Sequence, residues 1–516
     1  MKNFILFLYC LVFSVSCTIE KSKDKPNLLF IITDQQRFDA LGMVGNFPFL
    51  QTPNLDKLAS EGVFFERTYT QCAVCAPARA TLLTGCTIEN HGVYTNHFDN
   101  SKHTPMQTFD EILAENGYYT EYHGKFHNPL PMAACYEQIT TNDDYFPYLD
   151  KQFPELPAEQ GERIDPTFNR AYRMDPIDPL YGMAPDAELL DGQGNPLVLI
   201  QPDQHGELLI PGEYSFTSFQ VENAIEAIKR AKKSEKPFSI TSSLHFPHSP
   251  ILPTKPYYGM YPVSEIEVPY SIDDNMKNTP YTPKTHGWMF GPSYADPNLI
   301  KYMMSNYFGL ITEIDDWVGK LLNALEENGY EKNTLVIFTS DHGELLGSHG
   351  MREKNVFYEE SARIPLMIRF PEQIDAGVKV KNPVSNMNLY ATILDYLGIE
   401  GNVSDGHSLR PLIEGENTDK FDFVVTEWNY NLKDNEPNYM VVKGDWKLFI
   451  PYTPTSITID ALYNLKNDPY EMNNLLGNNP EKAKYQDQAN ELKEDLLKWL
   501  DENKSTHYDG VKERVL

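Results

Sequence analysis

"NLLFIIT", residues 27–33, is a nearly unbroken apolar run of strand length, bounded by Pro26 and Asp34. A strand that is apolar on both faces is buried on both faces, as in a parallel sheet covered by helices on each side. The pattern recurs along the chain. "TFDEILAENGYYTEYHGKFH" (108–127) offers Thr108 as a helix N-cap, helical spacing through Ile112 and Leu113, Gly117 as a stop, and then a short strand. "VENAIEAIKRAKK" (221–233) reads as a helix, followed by the strand "PFSITSS" (237–243) and the loop "LHFPHSP" (244–250). "LITEIDDWVGKLLNALEENGY" (310–330) is a longer helix before the strand "TLVIFT" (334–339) and the loop "SDHGE" (340–344). This alternation predicts a three-layer α/β domain with a large, mostly parallel sheet. Sites in such folds form beyond the carboxyl ends of the strands, and Asp34, His127, His248 and Asp341 all fall there.

Two stretches, roughly 130–215 and 250–300, are rich in Pro, Asp, Gly and Tyr and show little periodicity; loops of that length in a compact domain are functional or disordered. Their aromatic content favours ordered walls around a site. From about residue 420 the texture changes to short β-like runs, "FDFVVTEW", "YMVVKGDWKLFI" and "ALYNL", and then the helix "ANELKEDLLKWLDEN". The expected organisation is a catalytic domain over 24–419 and a smaller subdomain over 420–516, with an antiparallel sheet and a terminal helix.

The 516 residues leave room for one large domain and a smaller one. A formal charge of −29 argues against a nucleic-acid binder, because phosphate neutralisation needs a basic face. An anionic substrate would need cations gathered locally. The start, "MKNFILFLYCLVFSVSC", has one lysine, an apolar run from Phe4 to about Phe13, and small residues ending at Cys17. It is too short to span a bilayer and reads as a secretory signal over 1–17. It resembles a bacterial lipoprotein signal, whose cleavage leaves a lipidated Cys17. The protein is therefore expected to be exported, periplasmic or at the cell surface, and attached to a membrane through Cys17.

"CAVCAPARATLLTG" (72–85) has two readings. Cys72 and Cys75 form a C-x-x-C pair, the mark of a redox dithiol or half a zinc site, yet Cys75 alone begins C-A-P-A-R. A zinc site needs two more ligands at matching spacing, and only Cys86 is near. A thioredoxin-like pair would have its proline between the cysteines, whereas Pro77 follows both. The alternative is a single reactive cysteine.

C-A-P-A-R followed by T-L-L-T-G resembles the signature of the type I sulfatases, in which C-x-P-x-R directs oxidation of the cysteine to formylglycine. "IITDQQRFDALG", "GKFH", "FPHSP", "FTSDHGELLGSHGMREK", "YEESARIPL" and "LYNLKNDPYEMNNL" each resemble a block of that family, in family order, from about residue 27 to 475. The resemblance implies the alkaline-phosphatase-like fold and hydrolysis of sulfate esters. It also implies formylglycine derived from Cys75 by a formylglycine-generating enzyme. Ala76 and Ala78 replace the commoner hydroxyl residues of the signature, while Cys, Pro and Arg remain. A thiol is a poor reagent here, because a sulfated thiol has no easy breakdown. An aldehyde hydrate has two hydroxyls, one to attack sulfur and one to expel sulfate later.

The resemblance further implies a calcium ion coordinated by Asp34, Gln35, Asp341 and His342 with residue 75; carboxylates and an amide oxygen suit a hard cation. Gln35 and His342 stand where many members have Asp and Asn, and His342 is either a direct ligand or a hydrogen-bond partner of one. Arg79, one turn past residue 75, would hold the hydrate. Lys125 and Lys354 would neutralise the sulfate oxygens. His127 would take a proton to trigger sulfate release, and His248 would protonate the departing alcohol. His91 and His123 are possible sugar contacts, while His245 and His349 are unassigned. The expected substrate is a sulfated carbohydrate, taken at a terminal sugar in a pocket walled by the two insertions, with Arg163, Arg170 or Arg173 available for a carboxylate or second sulfate. Two alternatives stay open: a phosphonate or phosphate-ester hydrolase of the same superfamily, and a non-catalytic glycan-binding lipoprotein.

Overall fold

The computed structural model describes residues 25–96, 104, 106–130, 135–152, 172–174, 205–208, 210–281, 289, 295–401, 404–416, 419–431, 436–453 and 458–516. The expected signal with Cys17, together with Arg163 and Arg170, lies outside them. Arg173 lies on the short strand Tyr172–Met174, whose side chains are also outside the described set.

Eight strands form the main sheet: β1 (Asn27–Asp34), β2 (Val63–Phe65), β3 (Tyr119–Gly124), β4 (Gln138–Thr141), β5 (Phe238–Pro247), β6 (Thr334–Ser340), β7 (Leu366–Arg369) and β8 (Val378–Val380). Their spatial order is β8-β2-β7-β6-β1-β5-β3-β4. β1 pairs in parallel with β5 and β6, and β3 in parallel with β5 and β4. β7 runs antiparallel to both β6 and β2. The helices are α1 (Pro53–Ser60), α2 (Cys75–Thr84), α3 (Phe109–Glu115), α4 (Phe216–Ser234), α5 (Ile300–Glu327) and α6 (Asn388–Leu397). Successive side chains of a strand point to opposite faces, so β1 serves two cores. Leu29 and Ile31 pack with α1, α4 and α5, while Leu28, Phe30 and Ile32 pack with α2, α3 and α6. This is the three-layer α/β architecture that the apolar run at residue 27 predicts.

Local signals place several boundaries. Thr108 and Glu111 form a capping box at the start of α3, and Gly117 follows that helix with φ 85°. α4 begins at Phe216 rather than Val221, because the Ser215 hydroxyl accepts the N–H of Ser218 at 3.1 Å and caps it. α5 begins at Ile300, since Met303, Met304, Tyr307 and Phe308 continue its buried stripe ahead of Leu310. The described part of the first insertion carries regular elements. It supplies the edge strand β4 and a helix, Tyr145–Gln152. β5 also runs on through Leu244–Pro247, expected as loop, and brings Pro247 opposite Asp34 at the end of β1.

In the C-terminal subdomain β9 (Phe423–Asn431), β10 (Glu436–Lys443), β11 (Trp446–Pro451) and β12 (Ala461–Asn464) form an antiparallel sheet in sequence order, followed by α7 (Gln486–Glu502). "YMVVKGDWKLFI" is two strands folded at Gly444, whose φ of 53° suits a residue without a Cβ. Met440 and Val442 pack against Phe357 and Tyr358 of the large domain, while Tyr439 and Val441 pack against Leu492 and Leu496 of α7. Among the described residues no helix is long and apolar enough to cross a membrane.

Candidate active site

Asp34 is the last residue of β1, and Asp341 is the first past its parallel neighbour β6. Cys75 opens α2, at the positive end of the helix dipole, which favours negative charge. One ligand atom each from Asp34, Cys75, Asp341 and His342 lie within 4.8 Å of one another, and all four residues are buried. His342 Nε2 is 3.0 Å from Cys75 Sγ, 3.8 Å from Asp34 Oδ1 and 3.6 Å from Asp341 Oδ1. Its Nδ1 is 3.0 Å from the Gly343 carbonyl, which can only accept, so Nδ1 carries the proton and a neutral ring turns its Nε2 lone pair to the centre. That tautomer fits a direct ligand. Gly343 matters to the turn, because a Cβ there would lie 2.0 Å from the Glu360 carbonyl. Cys72 points instead into an apolar cluster with Val74 and Ile88, so the C-x-x-C pair does not act as one unit.

Three cations surround the cluster. Arg79 Nε donates to Asp341 Oδ2 at 2.9 Å, Nη2 to Asp34 Oδ2 at 3.2 Å, and Nη1 to the Lys125 carbonyl at 2.9 Å and Ser243 Oγ at 2.8 Å. It thus ties both carboxylates to the end of β3, beyond the expected role of steadying residue 75. Lys125 Nζ pairs with Asp34 Oδ2. Its position depends on Gly124, where a Cβ would lie 1.8 Å from the Ser243 carbonyl. Lys354 Nζ lies 2.5 Å from Gln35 Oε1, 3.0 Å from His248 Nε2 and 2.8 Å from Glu353 Oε2.

The electrostatics follow from this crowding. Burial raises Asp34, but Lys125 and Arg79, joined by His248 and His342 when those rings are protonated, outweigh it and hold the carboxyl well below the usual range. Asp341 lacks the lysine, so burial and the charge of Asp34 raise it. Burial and Asp34 raise Cys75, but Lys125, Lys354 and His342 prevail and lower it well below an ordinary thiol. Burial lowers His342, yet Asp341 and Cys75 bring it up to about 9, so the Nε2 lone pair is open to a metal ion only when that ion takes the place of a proton. An anion at residue 75 is therefore welcome. The converging carboxylates ask for a cation.

Gln35 sits beside the cluster in a left-handed conformation, φ 70°, held by the Tyr307 hydroxyl donating to its carbonyl at 2.8 Å. Its amide spans Lys354 and Glu344, and the oxygen that accepts from Lys354 retains a second lone pair. His248 reaches the group through Lys354, with its Nδ1 donating to the Ser249 carbonyl at 2.8 Å. His127 is half-buried on the loop after β3, two residues past Lys125, with φ 38°. The suggested sugar contacts are corrected. His91 is buried between Thr81 Oγ1, at 3.1 Å from Nε2, and the Val93 N–H, at 3.0 Å from Nδ1. His123 is buried against Glu121 at 2.9 Å, beneath Arg230. His349 stacks on Tyr358 with ring centres 3.7 Å apart. Three contributors escaped the sequence reading: Ser243, Glu353 and Glu344. For Glu344 a signal existed, an acid two residues from an expected ligand; for Ser243 there was none.

A model of the family described as Sulfatase matches residues 26–399, and a model described as N-sulphoglucosamine sulphohydrolase, C-terminal, matches residues 347–502. The arylsulfatase of Clostridium perfringens (strain 13 / Type A) is 29% identical over 500 residues, covering 95% of this chain and 97% of its own. The N-acetylglucosamine-6-O-sulfatase of Bacteroides thetaiotaomicron is 27% identical over 558 residues, covering 95% and 89%. The crystal structure of the phosphonate monoester hydrolase of Agrobacterium radiobacter superposes with a TM-score of 0.73 at 23% identity, covering 93% of this chain and 96% of its own, a likeness of fold.

Proposed function

The chain belongs to the sulfatase family, as a type I member of the alkaline-phosphatase-like superfamily, and from that premise we propose that it removes a sulfate ester from a carbohydrate. The observation that carries the proposal is the buried convergence of ligand atoms of Asp34, Cys75, Asp341 and His342, flanked by Arg79, Lys125 and Lys354. A calcium ion held there by Asp34, Asp341, His342, residue 75 and the Gln35 oxygen would polarise the nucleophile and the sulfuryl oxygens. Residue 75, matured to a formylglycine hydrate, would supply one hydroxyl to attack sulfur and a second to release sulfate.

The chain's own groups do the rest. Arg79 keeps the two carboxylates facing one centre. Lys125 and Lys354 neutralise sulfate oxygens inside a protein of formal charge −29. Lys354 Nζ can only donate, so in this arrangement His248 Nε2 carries no proton. When the lysine turns to sulfate, Nε2 is free to hold the proton that His248 passes to the departing alcohol. His127 takes the proton of the second hydroxyl.

Support for a sugar substrate comes from the sugar named in the C-terminal family model and from the Bacteroides relative. A pocket for a terminal sugar is favoured by the described part of the first insertion, whose Asn142 joins Gln220 at 3.0 Å and His245 at 3.2 Å beside His248. Export, with attachment through Cys17, is part of the same reading and rests on residues 1–17. The test is a panel of defined sulfated saccharides beside an aryl sulfate and an aryl phosphonate ester, with mass spectrometry of the residue-75 peptide from protein made alongside a maturing enzyme. Release of sulfate from a terminal sugar, with formylglycine at residue 75, is expected. Faster turnover of the phosphonate, or an unmodified thiol in active protein, overturns it.

A further inference from the structure

We propose that Glu344 is a positioning residue, which sets the orientation of the Gln35 amide and holds the loop that carries Lys354. This rests on the sulfatase reading of the same site, because Lys354 and Gln35 matter only if an anion and a cation are bound there.

Hydrogen-bond complementarity carries the argument. Lys354 Nζ, a donor only, lies 2.5 Å from one side-chain atom of Gln35, so that atom is the oxygen. The amide nitrogen then faces the other way and donates to Glu344 Oε2. Glu344 Oε1 accepts the N–H of Leu346 at 2.9 Å and the N–H of Glu353 at 2.6 Å. Three donors therefore converge on one carboxylate, which is acceptor-only when ionised. Glu344 and Gln35 are buried, so an unmatched donor would not find bulk water.

The consequence reaches the site along two paths. Gln35 follows Asp34 directly, and a reversed amide would present NH2 to the Lys354 ammonium. Glu353 precedes Lys354 and also bonds its Nζ through Oε2, at 2.8 Å. The loop has a cost of its own, because Leu346, Glu353 and Asn355 have φ values of 47°, 65° and 79° in the left-handed region. Arg37 grips the same loop, with Nη1 at 3.1 Å from the carbonyls of Glu344 and Leu345. Glu344 thus connects the segment after β1 to the segment that delivers Lys354.

The experiment exchanges acid and amide. In E344Q the new amide can accept from Leu346 and Glu353, but its NH2 then meets the NH2 of Gln35. Turning Gln35 over moves the clash to Lys354. In Q35E two carboxylates face each other. In E344Q/Q35E every donor again meets an acceptor, and the net charge is unchanged. With kcat on an aryl sulfate read well below each melting temperature, E344Q should lose about 10–100-fold, Q35E should also lose, and the exchange should return to within about tenfold of wild type. An exchange no better than the worse single variant, or E344Q at wild-type kcat, overturns the proposal. Melting temperatures of the same four proteins report the pairing without any substrate. If they are coupled while none of the four turns over a sulfate ester, the sulfatase reading fails and the pairing stands. If wild type is active and the substitutions are uncoupled, only the positioning role fails. Should E344Q not accumulate as folded protein, Q35E against the exchange makes the same comparison.

Discussion

Two buried clusters of charge, one at the carboxyl end of β1 and one between the large domain and the C-terminal sheet, are built from the same residue types to different ends. In the second, Lys447 of β11 sits between Glu359, at 3.1 Å, and Glu471, at 2.9 Å. Glu359 also accepts from the Tyr69 hydroxyl at 3.1 Å, and Glu471 accepts the Glu359 N–H at 2.7 Å. Donors alternate with acceptors there, and the cluster closes on itself. At the first, four ligand atoms point at one another with the cations outside them. Burial and ion pairing are common to both, so neither marks a reaction site. Convergence of lone pairs on one point does, because without a cation it is electrostatically unfavourable.

The comparison breaks most sharply at residue 75. Cys75→Ala should lower turnover by at least about 10³-fold while the protein stays folded, because the nucleophile is lost without disturbing the core. Exhaustive chelation should abolish activity of the wild type, with recovery on adding calcium. Chelated protein at full activity would remove the distinction between the two clusters.

His248→Ala should cost about 10²–10⁴-fold on a sugar sulfate, whose alkoxide needs a proton, and far less on an aryl sulfate, whose phenolate leaves readily. Equal losses on the two substrates would sink its role as acid.

Lys447→Met leaves two buried carboxylates without their shared counter-ion and should destabilise the fold by about 3–5 kcal/mol. Turnover per folded molecule should hold. Denaturant unfolding with an active-site titration separates the two, and a loss of kcat larger than the loss of folded protein would mean that the interface cluster serves the reaction.

Glu427, at the same interface, sharpens the contrast through an acid whose burial outweighs the hydrogen bonds and the His507 charge that favour its ionised form. Burial, only partly offset by the Ile88 N–H at 2.8 Å, pushes its carboxyl from 4.5 up to about 7. The native state then holds the proton more tightly than the unfolded chain between about pH 4.5 and pH 7, so stability falls as pH rises through that window. Its hydrogen bonds from Ile88 and Gln71 both fall on Oε1, so an amide keeps them. Glu427→Gln should be more stable than wild type by on the order of 3 kcal/mol above pH 7, with the difference vanishing toward pH 4. Urea unfolding at both ends of the window tests it; a pH-independent difference would show that Glu427 does not carry this titration.

The sequence by itself determined the layers and most of the site's cast. Strand and helix periods are local, so residues 27–33 and 334–339 announce buried strands and Thr108 announces a helix start. Asp34 and Asp341 are legible for the same reason, since each is the first charged residue after an apolar run. What the tertiary structure alone decided is where the hydrogen-bonding atoms end. His342 and Cys75 lie 267 positions apart in the chain yet meet at 3.0 Å. β5 runs on to Pro247 because pairing with β1 extends it, which local sequence does not specify. His91 and His123 look like the other histidines in a motif, and only packing shows both buried, His91 bonded through both ring nitrogens and His123 through Nε2. The Gln35 amide takes its direction from Lys354 and Glu344, more than 300 residues away. Propensity acts over a few residues, whereas the match of donor to acceptor is set by whichever segments the fold brings into contact.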